Sequence, residues 1–227
     1  MNDSVENSPD DDLTIKEDVE EELLWIPEVD PARIGVSVHE GVVTLSGEVS
    51  TFAERIAATE AAMSVRGVAG VADDLVVDLA ADAGHSDAHV AGAVKEALAQ
   101  HPGIPAGVVT VEVREGIVTL KGVVEWNHQR EAARRAVEHL PGVRFLDSRI
   151  ELSRRPSASD TEERIRRAIV RNAQLDASHI HVSIDGTVAT LTGTVRSWAE
   201  KRQASLSAWR SPHVTSVHND IKVKPSY

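Results

Sequence analysis

Two short segments each combine a tryptophan with cationic side chains on the following helical turn. Their members are Trp126, Arg130, Arg134 and Arg135 in the first segment, and Trp198, Lys201 and Arg202 in the second. Residues four apart, such as Arg130 and Arg134, share one face of a helix. An amphipathic indole ring beside cations suits an anionic phospholipid surface or an acidic protein partner. The structural alternative is that each tryptophan covers a sheet edge while the cations face water.

Histidine pairs give weaker support for a metal site. His85 and His89 are four residues apart, and His179 and His181 alternate along one segment, but a protein zinc site needs three or four ligands. The chain has no cysteine, which excludes thiolate catalysis, disulfides and cysteine zinc sites. It also lacks the nucleophile-elbow, zincin, Walker and dinucleotide-binding motifs. We therefore expect no enzyme activity, no cofactor and no metal.

The charge is unevenly distributed along the 227 residues, whose formal net charge is −12. Residues 1–80 contain 4 basic and 19 acidic side chains, whereas residues 156–227 contain 10 basic and 7 acidic ones. A clustered basic surface is expected of a nucleic-acid-binding protein, so the pattern argues against nucleic acid as a partner. It leaves room for a local anion-binding surface in the last two-thirds of the chain.

An internal repeat determines the expected architecture. Residues 36–47, 111–122 and 182–193 align without a gap and place Leu45, Leu120 and Leu191 at one position. Twenty residues after the last glycine of each segment come Gly67-Val68, Gly142-Val143 and His213-Val214. Repeats at a fixed period indicate copies of one structural unit. The sequence therefore predicts three equivalent units, with these leucines buried in each.

Each unit is predicted to have the order α-β-β-α-β. An amphipathic helix (residues 13–25, 87–100 and 160–172) precedes two strands of alternating polarity, and Asp185-Gly186 is predicted to form the tight turn of the third hairpin. The final hairpin glycine is expected to relieve a close backbone approach. An alanine-rich helix and a third strand complete the unit. The fold class is α+β, with two helices packed on a three-stranded mixed sheet.

The predicted organisation is a disordered acidic leader (residues 1–12) followed by module 1 (13–80), module 2 (85–153) and module 3 (158–225). Trp25 and Trp209 are interpreted as packing residues. No apolar stretch approaches the roughly 20 residues that span a bilayer, and the first residues do not resemble a secretory signal. The expected location is the cytoplasm, with peripheral membrane attachment if the anionic-lipid interpretation holds.

The hairpin motifs GVVTLSG (41–47) and GIVTLKG (116–122), with the helix and the Gly67-Val68 strand entry that follow, resemble the BON domain of bacterial osmotically induced and nodulation proteins. The resemblance covers residues 13–224. It implies a non-catalytic binding or scaffold protein, connected with stress, that contacts anionic phospholipid or a protein partner. The alternative function is a small-ion or osmolyte sensor. RNA binding is a weaker alternative, because the strands lack the stacking aromatics that it requires.

Overall fold

A computed structural model of the chain describes residues 9–78, 85–153, 161–170 and 179–224. Module 1 consists of α1 (Pro9–Leu24), β1 (Ile34–His39), β2 (Val42–Val49), α2 (Phe52–Ser64) and β3 (Gly70–Val77). Module 2 consists of α3 (Asp87–Gln100), β4 (Val109–Arg114), β5 (Ile117–Val124), α4 (Asn127–Glu138) and β6 (Phe145–Leu152). Module 3 consists of α5 (Thr161–Val170), β7 (Ile180–Asp185), β8 (Val188–Val195), α6 (Trp198–Trp209) and β9 (Ser216–Val223). The predicted α+β fold with three tandem modules is confirmed.

The chain forms two compact units. The first comprises Met1–Asp78 with the segments Val195–Glu200 and Val223–Tyr227, and the second comprises Leu79–Thr194 with Lys201–Lys222.

The second strand of each module is the centre of its three-stranded sheet. In module 1, β2 pairs antiparallel with β1 and parallel with β3, and module 2 repeats this arrangement with β4, β5 and β6. In module 3, β7 pairs antiparallel with β8. The two helices of a module cover one face of a sheet, so its strands alternate between buried and exposed side chains.

The buried residues occupy matching positions in the three modules. Leu45, Leu120 and Leu191 are each 0% exposed, which confirms the predicted alignment. The alanine-rich helices bury equivalent positions in the three modules, at Ala58, Ala62, Ala133, Val137, Ala204 and Ala208. Small side chains at these positions let the helix axis approach the sheet closely, which produces a thin core that methyl and leucine groups can fill.

The first two hairpins turn at Glu40-Gly41 and Glu115-Gly116, and all four residues have positive φ angles. This conformation is typical of a type I′ turn, whose twist matches that of the flanking strands. In the third hairpin Asp185 pairs with Val188, so the turn is Gly186-Thr187 and not the predicted Asp185-Gly186. Of these residues Gly186 is the one with positive φ, which is the pattern of a type II′ turn.

The glycine that ends each hairpin motif allows a close approach of the neighbouring backbone segment, as predicted. A Cβ atom on Gly47, Gly122 or Gly193 would overlap the carbonyl oxygen of Arg33, Val108 or His179, respectively. All three glycines have φ angles between 118° and 154°, a region that favours glycine.

Helix α1 begins at Pro9, which differs from the prediction of a disordered leader over residues 1–12. Asp12 accepts hydrogen bonds from the backbone N–H groups of Glu40 and Gly41 at 2.8 and 2.9 Å. These bonds to a turn in the same module order the end of the acidic segment. Residues 1–8 lie outside the described residues.

Candidate functional site

Trp126 caps the start of α4 and is half-buried. Its backbone N–H donates to the side-chain oxygen of Gln129 at 3.0 Å, and the N–H of Glu125 donates to the same oxygen at 2.9 Å. The indole stacks on the His128 ring with 6.3 Å between centroids. The ring is therefore held against its own helix, with part of its surface facing water.

Arg130 packs against an aromatic ring. Its guanidinium carbon lies 4.5 Å from the centroid of the Trp209 ring, and its Nη2 donates to Asn127 Oδ1 at 2.6 Å. Burial lowers the pKa of Arg130, although an arginine remains protonated in proteins. The contact is a cation–π interaction. It engages both Arg130 and Trp209 within the protein, which agrees with the prediction that Trp209 is a packing residue.

A comparison with module 1 explains why Arg130 takes this position. The equivalent residue Arg55 donates from Nε to Asp73 Oδ2 at 2.9 Å, which ties α2 to β3. Module 2 has Ser148 where module 1 has Asp73. Arg130 therefore has no carboxylate at that position.

The Arg134 side chain forms two ion pairs within α4. Its Nε lies 3.2 Å from Glu131 Oε2, and its Nη1 pairs with Glu138 Oε1. Glu138 is only 5% exposed, and a buried carboxylate needs such a partner. The adjacent Arg135 is exposed.

In the second predicted segment, Trp198 and the backbone of Lys201 also form hydrogen bonds within the protein. Trp198 is half-buried and its Nε1 donates to the Val68 carbonyl at 3.1 Å. Lys201 is half-buried, and its carbonyl accepts from Asn219 Nδ2 at 2.9 Å. Arg202 is exposed. Among the five cations predicted as lipid or partner contacts, Arg135 and Arg202 are exposed, and the others are half-buried.

The interpretation of Trp25 as a packing residue is wrong, because 76% of its surface is exposed. The buried stripe of α1 consists of Ile15, Val19 and Leu23, which are four residues apart. Trp25 follows Leu23 by two residues, and at about 100° per residue this turns its side chain away from that stripe. Its neighbour Leu24 is 70% exposed for the same reason.

An exposed apolar and basic surface that was not predicted from the sequence lies at the hairpin end of module 2. Phe145 and Ile117 are 46% and 44% exposed and are paired on neighbouring strands. Arg114 pairs with Ile117 across the hairpin and shares its face of the sheet. Arg144 directly precedes Phe145, and its side-chain carbons lie against Gly116 in the hairpin turn, so it stands at the end of the sheet beside this face. Both arginines are exposed. We call Arg114, Ile117, Arg144 and Phe145 the module 2 patch.

The repeat alignment could have identified the module 2 patch. Module 1 has His39, Val42, Ala69 and Gly70 at the four positions, and module 3 has Asp185, Val188, Thr215 and Ser216. The combination of two arginines with two large apolar residues is therefore specific to module 2. The two halves of the patch are about 30 residues apart in the chain, so no local sequence pattern contains both.

The histidine pair His85 and His89 is close in space, with ring centroids 5.0 Å apart. Within residues 9–78, 85–153, 161–170 and 179–224, no group of three or more histidine, aspartate or glutamate side chains is arranged to hold a metal ion. Over those same ranges, none of the helices combines the length and the apolar character that crossing a bilayer requires.

Comparison with known proteins agrees with the modular architecture. The model of the BON domain family matches residues 11–78, 86–154 and 157–225. The chain is 29% identical over 146 residues to osmotically-inducible protein Y of Escherichia coli (strain K12), an alignment that covers 61% of this chain and 73% of the relative.

Two solved structures of CdsD, a structural protein of the type III secretion system of Chlamydia trachomatis, align with 92% of this chain at 17% identity. The alignments cover 92% and 96% of the CdsD chains, with a TM-score of 0.27 in both cases. At that score they carry no argument about this protein. The three family matches account for most of the 227 residues and coincide with the three folded modules, and the chain therefore belongs to the BON domain family.

Proposed function

We propose that this protein is a non-catalytic binding protein of the osmotic stress response that attaches to anionic phospholipid through the module 2 patch. The observation that carries the proposal is the exposure of the paired residues Phe145 and Ile117 beside Arg114, with Arg144 exposed at the adjoining turn. The relative named for osmotic induction supports the connection with stress.

The chemistry of the module 2 patch suits an anionic membrane surface. Apolar side chains can enter the boundary between headgroups and acyl chains while arginines remain at the headgroup phosphates. Each cation contributes about 1 kcal/mol near an anionic surface at ordinary ionic strength. Two arginines and two apolar side chains therefore support weak and reversible attachment.

Neighbouring charges on the same sheet are largely neutralised. Lys121 Nζ pairs with Glu112 at 2.7 Å, and Arg149 Nε pairs with Asp147 at 2.7 Å. The arginines of the module 2 patch therefore add a local positive charge to a nearly neutral surface. Glu115 in the hairpin turn is the acidic residue closest to them in sequence.

The cations that the sequence singled out enter the proposal in a reduced role. Arg135 and Arg202 are exposed and we propose them as supplementary contacts with lipid phosphates. We assign a smaller contribution to five other residues, which contact other groups within the protein or are half-buried: Trp126, Arg130, Arg134, Trp198 and Lys201.

Vesicle flotation with the full chain tests this function. We expect binding to vesicles that contain phosphatidylglycerol or cardiolipin, none to phosphatidylcholine vesicles, and a decrease as salt is raised. Ile117→Ser with Phe145→Ser, and separately Arg114→Glu with Arg144→Glu, should each reduce the bound fraction by at least half. The matched control Lys95→Glu with Lys222→Glu makes the same charge change at two exposed positions outside the module 2 patch.

The outcome of this experiment distinguishes the alternatives. If the control variant loses binding as strongly as the arginine variant, attraction is due to overall charge and not to the module 2 patch. If the wild-type chain ignores anionic vesicles even at low salt, the lipid proposal fails and a protein partner becomes the better interpretation. A cytoplasmic location with peripheral attachment stays a prediction, which cell fractionation checks.

A further inference from the structure

A cleft lies between the two helices of module 3. Its cavity has a volume of about 680 Å³, and α5 contributes Arg164 and Arg167 to its wall. The end of α6 and the following loop contribute Gln203, Ser207, Arg210 and His213. We call this cavity the module 3 cleft. The described residues that line it include no aspartate or glutamate.

The same position in module 1 has the opposite charge. Buried Val19 aligns with buried Ile165, which places Asp18 at the position of Arg164 and Glu21 at the position of Arg167. Asp18 and Glu21 line a smaller cavity of about 310 Å³ at the corresponding place in module 1. The fold therefore provides an interhelical cleft in both modules, and the residues on the first helix reverse its charge.

The second helix of module 3 also differs from its counterparts. Gln203 and Ser207 occupy positions at which modules 1 and 2 have only alanine, namely Ala57, Ala61, Ala132 and Ala136. Ser207 is 2% exposed, and its hydroxyl donates to the Gln203 carbonyl at 3.0 Å. Arg210 replaces Ser64 of module 1 and His139 of module 2. On the α6 side of the module 3 cleft, hydrogen-bonding and cationic side chains therefore stand where modules 1 and 2 have mostly alanine.

A paired change in size accompanies these polar groups. Gly67 packs against Ile15, and Gly142 packs so closely against Val90 that an added Cβ would lie 2.7 Å from a Val90 methyl carbon. Module 3 has Thr161 in place of Ile15 and Val90, and His213 in place of the glycine. The smaller side chain on the helix is compatible with a larger one on the loop, and this change brings an imidazole to the cleft.

We propose that the module 3 cleft binds the phosphate group of a small phosphorylated ligand. Three arginines with a histidine at one cavity favour a doubly charged phosphate monoester over a singly charged carboxylate, and the planar guanidinium matches phosphate geometry. Arg167 donates from Nε to Glu163 at 2.8 Å, and a guanidinium carries five N–H donors in all. A volume of 680 Å³ lies within the range of small-molecule sites, about 300–1,000 Å³.

This site is separate from the module 2 patch and does not depend on the proposed lipid attachment. The phosphate monoester could belong to a soluble metabolite or to phosphatidic acid, which offer the same chemical group. Isothermal titration calorimetry of the full chain in phosphate-free, low-salt buffer tests the cleft with inorganic phosphate and with glycerol 3-phosphate. Flotation with phosphatidic acid vesicles tests the lipid source.

The decisive variant gives module 3 the residues of module 1, as Arg164→Asp with Arg167→Glu. We expect saturable binding of glycerol 3-phosphate to the wild-type chain and a loss of affinity of at least ten-fold in this variant. The milder Arg210→Gln should lose several-fold, and it guards against a folding defect in the double variant. Far-UV circular dichroism and a thermal melt establish that each variant is folded.

The matched control is Arg196→Glu with Lys222→Glu, which makes the same charge change in module 3 at exposed residues that do not line the cleft. If the control variant still binds the soluble phosphates and the cleft variants do not, the result supports a soluble ligand. Binding only to phosphatidic acid vesicles, with the same variant pattern, supports the lipid source. No binding of any probe, or an equal loss in the control, overturns the proposal. Loss of phosphatidylglycerol binding in the module 2 patch variants alone leaves the cleft unaffected, so the two proposals fail separately.

Discussion

At the scale of single residues, adjacent arginines of α4 have different roles. Arg134 pairs with Glu131 and with Glu138, which is 5% exposed, whereas Arg135 is exposed. A side chain that compensates a buried carboxylate stabilises the fold, while an exposed cation contributes little to stability and is available for ligands. The difference arises because consecutive residues of a helix point in directions about 100° apart.

We expect Arg134→Glu to destabilise the protein by about 1–3 kcal/mol, because it leaves the buried Glu138 carboxylate unpaired beside a like charge. The same substitution at Arg135 should change the free energy of unfolding by less than about 0.5 kcal/mol. Urea denaturation of both variants measures the difference. Equal effects of the two substitutions would contradict the ion pair seen here.

Asp87 provides a pH-dependent contact. Its carboxylate accepts from the backbone N–H groups of Gly116 and Glu115 at 3.0 and 2.9 Å, and these hydrogen bonds lower its pKa. A folded-state pKa below the unfolded value, about 3.9, contributes stability that is present above that value and is lost as the pH falls through the folded-state pKa.

Asp87→Asn should therefore be less stable than the wild type at pH 7, and the gap should narrow when the pH is lowered below about 4. An amide keeps one acceptor but presents N–H groups to the second backbone donor. Urea denaturation at pH 7 and pH 3 measures the gap. Asp74→Asn at an exposed position of β3 is the control, and a gap for Asp87→Asn that stays constant with pH would count against this contact.

At the scale of elements, the hairpins depend on glycines at a close backbone approach. Gly122 has a φ of 154°, and a Cβ there would overlap the Val108 carbonyl oxygen. Gly92 lies within α3, and an added Cβ would meet no atom within 4 Å. Replacement by alanine should therefore have opposite effects on stability at these two glycines.

We expect Gly122→Ala to destabilise the protein by at least about 2 kcal/mol, because the backbone must move to avoid the overlap. Gly92→Ala should stabilise it by about 0.5–1 kcal/mol, because alanine favours the helix. Thermal and urea melts of the two variants measure both effects. If Gly122→Ala melts like the wild type, the Val108 carbonyl does not approach Gly122 as closely as described.

At the scale of the whole molecule, the acidic charge is concentrated in module 1. Residues 1–80 contain 19 acidic and 4 basic side chains, and α1 exposes Asp18, Glu21 and Glu22. This charge repels an anionic surface over a Debye length of about 8–10 Å at physiological ionic strength. We therefore expect module 1 to weaken the lipid attachment of the full chain.

Neutralising α1 by Asp18→Asn, Glu21→Gln and Glu22→Gln should increase the fraction bound to anionic vesicles about two-fold or more at low salt. The gain should disappear at several hundred millimolar salt, where screening removes the repulsion. Vesicle flotation across a salt series measures it. A gain that is independent of salt would indicate a contact of α1 itself and contradict the electrostatic explanation.

The sequence by itself determined the number of modules, their element order and their core. Leu45, Leu120 and Leu191 could be assigned to one buried position because strand alternation and helix periodicity are local patterns that repeat at a fixed offset. The close backbone approach at Gly122 was predictable for the same reason. The hydrogen bonds of Asp12 and Asp87 to the hairpin turns were also within reach, since each aspartate precedes its Glu-Gly turn by the same distance.

Only the tertiary structure decided which of the charged and aromatic residues are available for a ligand. Arg130 and Arg134 lie four residues apart in the sequence, a spacing that predicts one shared helix face. In the structure, however, Arg130 packs on Trp209 and Arg134 pairs with Glu138. The module 2 patch and the module 3 cleft each join side chains from segments about 30 to 50 residues apart in the chain. Exposure and ion pairing depend on which distant segments the fold brings together, and no local pattern contains that information.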